Sequence, residues 1–515
     1  MLSSSVVSAL VAIFVLSRII KFRSDRRKVL GLPGLRSLVT PAHPIGALLP
    51  TFFLNPGLSW QWYWRQQIYE RAGASTISVL AWLFGDPTIY TTSIDVARQI
   101  VSTRGQFEKP PETTMITSIW GPNLFAADGS QWRRHRHIMG PAFGTEIYTL
   151  VWKEAAALFD EMIEVENWKD VSTIVLDPVN ELTTKFALNI ISRCAFGNAM
   201  PWRKETGKQD TMDFAEALAV VSHSSIIRLV TPQWMYKLPI KRLHKVNTAY
   251  KTLETFMASL IASRREEMSQ GVGQSRHDLF SLMLGTSEEE GDAAMTNAEL
   301  SGNTFLMLFA GHETTARTLD AALGFLAVYQ DVQKEIYDEV QSVYSEDPSL
   351  PFSCHAKLNK TQACFLEAAR LFPAGFMMIR RAAEDIVLTT DDLHIHDGRL
   401  PLSKGTTLVV DMVGLHYNKR YFPDPEEFRP SRWYNAREND MSMFSFGSRA
   451  CIGRRFALTE AVYFLARLLM EWRIEPILRD GESPNEWRRR VMIADVMMSL
   501  GVGNVPVRLV ARARK

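Results

Sequence analysis

A long run without proline, from Asn297 to about Tyr329, constrains the fold of this 515-residue chain more than any other feature. At 1.5 Å per residue a single helix over that run spans roughly 45–50 Å, enough to cross a whole domain. A chain built on such a rod is mostly helical. The pattern from Ile94 to about Leu284 agrees, with apolar positions recurring at three and four spacing. A last helix is expected from Ile452 to about Trp472. Strand signals are short: Thr76–Phe84 and Thr88–Thr92 about a Gly85-Asp86-Pro87 turn, then Ile386–Thr390 and Thr406–Val410. Thr286 to Asp292 reads as a solvated linker. The expected class is mainly α with a minor β region, an α+β fold.

The amino terminus sets the second constraint. Val6 to Leu16 is nearly all apolar, and Ile19-Ile20 extends the stretch past Arg18 to about the 20 residues that a membrane helix needs. Arg18, Lys21, Arg23, Arg26, Arg27 and Lys28 against Asp25 then give +5 within residues 18–28, so the remainder of a chain of net charge +2 carries −3. A cleavable signal has its positive charges before the apolar run, and this order is reversed. A signal anchor is expected over residues 1–22, with the chain beyond it on the cytosolic side. Residues 23–50 are expected as a basic, proline-containing connector, in which Leu32-Pro33-Gly34 and the Pro41, Pro44, Pro50 series form a stiff, non-helical part. Residues 51–515 are expected to form the folded body beyond the connector. Four scattered cysteines exclude a disulfide framework and no pair has zinc-ligand spacing.

One of those cysteines lies in a strict frame: Phe444-Ser-Phe-Gly447-Ser-Arg449-Ala-Cys451-Ile-Gly453. Gly447 and Gly453 let backbone approach a flat ligand that a Cβ would hold off. Amides beside the sulfur can donate to a metal-bound thiolate and tune it. Phe444 can shield the sulfur from water, and Arg449 can pair with a carboxylate. This frame resembles the haem-binding loop of the cytochrome P450 family of haem-thiolate monooxygenases. The resemblance implies haem b with Cys451 as axial thiolate, the metal ligand, and the P450 fold with its long central helix over the haem. A thiolate in that position favours O–O cleavage.

Four further elements match in order. Trp132-Arg-Arg-His-Arg136 places Trp132 and Arg136 on one helical face, and the family gives both to the haem propionates, as it does Arg380. Arg133, Arg134 and His135 read as a solvated basic face, which in the family borders the reductase-docking side with Arg454 and Arg455. Inside the long helix, Ala310-Gly311-His312-Glu313-Thr314-Thr315 removes bulk on one face so that a flat cofactor can come near. A mid-helix glycine costs up to ~1 kcal/mol and wants a reason. Thr314 can bond back to the Ala310 carbonyl. The resemblance gives Glu313 and Thr314 the catalytic role of bringing protons to iron-bound dioxygen; His312 and Thr315 are structural. Glu367 and Arg370, with Arg432 of the segment Pro425–Trp433, correspond to a buried charge network bracing the haem loop.

The resemblance also places pocket residues at Met115, Ile116, Ile119, Trp120, Phe305, Leu306, Met307, Phe309, Phe376, Met377, Met378, Met497 and Met498, although core packing explains any one of them equally well. As a set they suggest a large apolar cavity with adaptable walls. The activity implied is insertion of one oxygen atom from O2 into a lipophilic small molecule, terpenoid, polyketide or alkaloid-like, in secondary metabolism. Electrons come from NADPH through a separate NADPH–cytochrome P450 reductase, with cytochrome b5 as an optional second donor. The expected location is the endoplasmic reticulum membrane, single-pass, with the body in the cytosol. The alternatives are an O2-independent haem-thiolate isomerase or dehydratase, against which Glu313-Thr314 argues, and a non-catalytic haem sensor. No nucleic-acid partner is expected.

Overall fold

The computed structural model describes residues 4–41, 43, 46, 49–102, 105–203, 212–270, 278–392 and 395–512. The chain divides into two compact units. The first comprises Met1–Pro110, Phe376–Glu426 and Phe446–Arg449, the second Pro111–Gly375, Glu427–Ser445 and Ala450–Lys515.

The first unit opens with helix α1 (Ser4–Lys28), whose apolar side chains from Val6 to Leu16 are largely exposed. It is long and apolar enough to cross a membrane by length and composition. The helix does not stop at the basic cluster. Arg18 donates to the Leu83 carbonyl at 3.2 Å and Lys21 to the Gly85 carbonyl at 3.1 Å, while Phe22 stacks on Trp82 at 4.5 Å. Asp25 is buried and salt-bridged to Lys21. Helix α1 thus continues through the basic part of the connector to Lys28, and strand β1 (Gly34–Val39) follows in the stretch expected to be non-helical. The sheet that receives it is laid out β1-β2-β3-β9-β6-β4, with β2 Thr76–Phe84, β3 Thr88–Thr91, β4 Phe107–Glu108, β6 Met377–Ala382 and β9 Thr407–Asp411. Strand β1 runs parallel to β2 and crosses it closely at Gly34, where φ is +137° and a Cβ would stand 2.4 Å from the Ser78 carbonyl oxygen. Only glycine fits there. Its neighbour α2 (Ile94–Ser102) buries Val96, Ala97 and Ile100 in an apolar core with Ile89, Leu408 and Val410.

The second unit is helical, and its elements follow the expected pattern closely. In order they are α3 (Gly129–Met139), α4 (Thr145–Val165), α5 (Asn180–Phe196), α6 (Phe214–Val230), α7 (Lys241–Ser269), α8 (Leu279–Glu289), α9 (Asn297–Val328), α10 (Gln330–Glu346), α11 (Asn359–Leu371), α12 (Arg454–Glu471) and α13 (Pro484–Val491). The segment expected as a solvated linker is instead the end of α8 and a 3₁₀ turn, with Ser287 buried and bonded to the Met295 amide at 2.7 Å. A capping box of Thr296 and Glu299 starts α9, satisfying amides that a helix start leaves open. Nearly every face of α9 is buried, as a rod through the middle of a domain must be. Two small β elements complete the unit: a sheet β10-β13-β5 (Trp472–Pro476, Val507–Ala511, Thr173–Leu176) and a hairpin of β11 (Ala494–Val496) and β12 (Leu500–Val502) that packs on α9.

Candidate active site

The frame around Cys451 is drawn together by its own backbone. The Cys451 amide donates to the Phe444 carbonyl at 2.8 Å, and 3₁₀ turns cover Ser442–Phe444 and Gly447–Arg449. Gly447 has φ +58°, so the turn itself requires glycine there. Gly453 is a different case. Its backbone is ordinary and a Cβ on it would meet no protein atom nearer than 3.9 Å, in Phe143. Among the described residues packing does not account for that glycine, and the space beside it is open.

Among the four cysteines, Cys194, Cys354 and Cys364 are buried and Cys451 alone has open surface. Its sulfur nonetheless sits deep enough for desolvation to push the thiol pKa up, against which the Gly453 amide and the Arg454 and Arg136 charges pull it down. A cysteine that keeps open surface while its thiol is desolvated suits an axial ligand to a large planar group. Arg136, half-buried on α3, is lowered by burial while Cys451 supports its charge. Trp132 lies one turn before it, also half-buried. Arg380 on β6 and Arg449 are half-buried in the first unit. Arg380 donates to the Ile379 carbonyl at 2.7 Å.

Helix α9 keeps one accessible strip in its otherwise buried middle: Leu306, Ala310, Gly311 and Thr314. Spacing of three and four puts them on one face. Thr314 Oγ1 donates to the Ala310 carbonyl at 2.8 Å, and Thr318 Oγ1 to that of Thr314 at 2.8 Å. Such back-bonds loosen a helix locally. Gly311 has a second constraint: a Cβ there would lie 2.7 Å from the Ile191 side chain on α5, so the glycine also lets two helices meet. His312 is buried and bonded to the Leu308 carbonyl at 2.7 Å. Glu313 is buried, contacts Ser499 Oγ at 2.5 Å and faces Arg317 Nε at 3.7 Å.

Glu367, Arg370 and Arg432 do converge. Glu367 accepts from Arg370 Nε and Nη2 at 2.8 and 2.9 Å, and from Arg432 Nε at 3.2 Å. The Arg429 amide at 2.9 Å and Trp433 Nε1 at 2.8 Å complete the group. Glu367 and Arg370 are wholly buried, and their helix α11 lies against the turn that opens the cysteine loop.

The basic face on α3 needs correction. His135 is fully buried and bonded to Glu299 at 3.1 Å, and Arg134 reaches the same carboxylate and the Ala294 carbonyl. Burial lowers the His135 pKa. Only Arg133 of the three is exposed. Arg454 and Arg455 both engage Glu438, and Arg455 keeps 63% of its side chain in solvent. Three residues tied to Glu313, namely Arg317, Asp495 and Ser499, went unrecognised in the sequence. The one signal was Arg317 at i+4 from Glu313.

Trp120, Tyr250, Phe305 and Phe309 form an aromatic wall in the second unit: Trp120 stacks on Tyr250 at 5.1 Å and touches Phe305 at 4.4 Å, and Phe305 stacks on Phe309 at 5.9 Å.

The cytochrome P450 family model matches residues 75–498. A cytochrome P450 monooxygenase of Postia placenta is 33% identical over 474 residues, 91% of this chain and 90% of that protein. The cyclooctat-9-en-7-ol 5-monooxygenase of Streptomyces melanosporofaciens is 26% identical, over 74% of this chain and 79% of its own. A cytochrome P450 of known crystal structure has the same fold, with TM-score 0.71 at 24% identity, covering 90% of this chain and all of that one. The chain belongs to the cytochrome P450 family. It is a P450 monooxygenase, an oxidoreductase of the haem-thiolate class that works with O2, a redox partner and a small-molecule substrate.

Proposed function

We propose that this chain is a membrane-anchored monooxygenase in which Cys451 holds haem b and Glu313 with Thr314 delivers protons to the reacting oxygen. The observation that carries this reading is the surface left open at Cys451 beside Gly453, whose missing side chain no neighbour among the described residues explains. Bound there, the haem would supply the iron that activates O2 for insertion of one oxygen atom into the substrate.

The chain's own residues then divide the remaining work. The Gly453 amide and the Arg136 and Arg454 charges favour the ionised sulfur. Phe444 and the loop it closes keep water from it. Trp132, Arg136, Arg380 and Arg449 would hold the propionates of the bound haem, for which arginine forks are suited. Ala310 and Gly311 keep the open strip of α9 low, and Thr314 stands on the same strip. Glu313, one residue back and buried, keeps Oε2 without a protein donor among the described residues. A carboxylate, a hydroxyl and water can relay the two protons that O–O cleavage needs.

The exposed apolar length of α1 supports a single-pass anchor, with the body on the cytosolic side of the endoplasmic reticulum. The aromatic wall and Met498 support an uncharged lipophilic substrate of terpenoid, polyketide or alkaloid type. The Streptomyces relative, named for cyclooctat-9-en-7-ol, is consistent with it. Exposed Arg133 and Arg455 are the basic groups left to meet an acidic NADPH–cytochrome P450 reductase or cytochrome b5.

The test is a reduced-plus-carbon-monoxide difference spectrum of wild type beside Cys451→Ala. A Soret band shifted far to the red in wild type and absent from the variant establishes thiolate ligation. An ordinary imidazole-type band from well-folded wild type overturns the assignment of Cys451.

A further inference from the structure

Glu313 is held from the side of the β11–β12 hairpin by residues outside every motif. Its Oε1 accepts from Ser499 Oγ at 2.5 Å and lies 3.7 Å from Arg317 Nε, while Oε2 is buried with no donor among the described residues. Arg317 is fixed in turn. Nη1 donates to the Asp495 carbonyl at 3.0 Å and Nη2 to the Asp495 carboxylate at 3.1 Å. Its guanidinium occupies the space that a side chain at 501 would fill, since a Cβ on Gly501 would lie 2.7 Å from Arg317 Nη1. Asp495, Ser499 and Gly501 all belong to the hairpin, whose turn is Met497-Met498-Ser499. That turn is short, with the Met497 amide donating to the Ser499 carbonyl at 3.0 Å, and Met498 Sδ meets Ser225 Oγ on α6 at 3.0 Å.

The hairpin thus joins two things. Its turn carries both the methionines expected in the substrate pocket and Ser499, which bonds the buried acid, while Asp495 of its first strand holds Arg317. Of the two groups on Oε1, only one can pass a proton. A guanidinium does not give up its own, whereas a serine hydroxyl both donates and accepts. Asp495 keeps about half its side chain (52%) in solvent, so the Arg317 end of the cluster reaches the surface.

We propose that Ser499 and Arg317 are positioning residues that lock one oxygen of Glu313 to the β11–β12 hairpin, so that packing of substrate against Met497 and Met498 governs the acid. This rests on the reading of Glu313 as the proton-delivering carboxylate. Substrate that shifts the methionines also shifts Ser499, one residue away, and with it the hold on Oε1. Proton delivery then answers to an occupied pocket through a contact one residue long.

Two measurements on the haem-loaded full chain test the proposal, with Ser499→Ala, Ser499→Thr and Glu313→Gln beside wild type. The first is hydrogen exchange of the amides in residues 494–502, which reads the lock without turnover. Ser499→Ala should speed exchange there on the order of tenfold, and Ser499→Thr should restore protection. The second is the ratio of NADPH to O2 consumed with reductase and no added substrate. Reducing O2 to two waters takes two NADPH and two further protons, and releasing it as peroxide takes one NADPH and one proton. Ser499→Ala should move the ratio toward one and Ser499→Thr back toward wild type. Unchanged exchange and unchanged ratio in Ser499→Ala, with a changed ratio in Glu313→Gln, overturn the lock and leave the role of Glu313 standing. An unchanged ratio in Glu313→Gln overturns that role itself.

Discussion

Glu367 and Glu313 begin alike and end differently. Each lies buried on a helix with an arginine one turn on, Arg370 at i+3 and Arg317 at i+4. Around Glu367 every approach is a donor: the Arg370 fork, Arg432, the Arg429 amide and the Trp433 indole. Around Glu313 only one oxygen is engaged among the described residues. A buried carboxylate saturated with donors is fixed, and it organises whatever the donors belong to. One left half-satisfied bears the cost of an unpaired buried oxygen, roughly 1–3 kcal/mol, and such a cost persists where the free atom has something to do. The first arrangement builds the floor of the cysteine loop; the second fits a residue that must exchange protons.

The largest effect should come from breaking the saturated group. Arg432→Ala leaves Glu367 and Arg370 buried with a partner gone, which costs roughly 3–5 kcal/mol. The variant should melt well below wild type and bind little haem, read by thermal unfolding and by haem content per chain. Full haem with an unchanged melting temperature would falsify the view of Glu367 as the brace.

Glu313→Gln should do the converse. Its stability should stay within about 1 kcal/mol of wild type, because the amide can still meet Ser499. Product formation should fall by about 10² or more, the usual share of a positioned proton donor. A rate equal to that of wild type in steady-state turnover with reductase would remove the contrast with Glu367.

Glu299 tests the saturated case at a third position. It caps α9 and, although burial opposes ionisation, the Thr296 amide, His135 and Gln131 hold its pKa down to about 2. The folded value is below the unfolded one, so this stability is present above the ordinary carboxyl range and is lost as pH falls toward 2. Glu299→Gln should cost about 2 kcal/mol at neutral pH and little near pH 2. Equal losses at both, by chemical denaturation across pH, would show that the carboxylate charge is not what His135 and Arg134 engage.

Much of this was legible in the sequence, for physical reasons that differ by region. The span of α9 could be read because nothing in Asn297–Val328 breaks a helix and its cap residues stand in place. The strands β2 and β3 could be read because Gly85-Asp86-Pro87 marks their turn. Helix α1 ran further than expected because charge alone does not end a helix, and the carbonyls that hold Arg18 and Lys21 come from residues 83 and 85, some 65 positions away. The solvated reading of His135 and Arg134 failed for the same reason, since their partner Glu299 is 164 residues on. Short-range pairs such as Glu367 with Arg370 announce themselves by spacing. Contacts of Glu313 with Ser499 and of Arg317 with Asp495 do not, because only the fold brings positions 313 and 499 together.

The smallest effect is expected at a fourth buried glutamate, where the contrast is sharpest. Glu460 lies on α12, nine positions after Cys451, with no exposed surface. Neither of its oxygens has a donor in hydrogen-bonding geometry among the described residues. Burial pushes its pKa well above the usual carboxyl range, and the nearby Thr315 hydroxyl only partly offsets this. The folded value is raised, so the native state keeps a proton that the unfolded chain releases. Stability is therefore complete below the ordinary carboxyl range and declines as pH rises toward the raised value. Glutamine has the same shape and no charge to lose. Glu460→Gln should match wild type within about 1 kcal/mol at pH 5, where both side chains are neutral, and should be at least as stable at pH 8. Melting curves at the two pH values decide it. A loss at pH 8 comparable to that of Arg432→Ala would mean that Glu460 is charged and paired like Glu367, and the gradation from saturated through half-held to neutral glutamates would collapse into one kind.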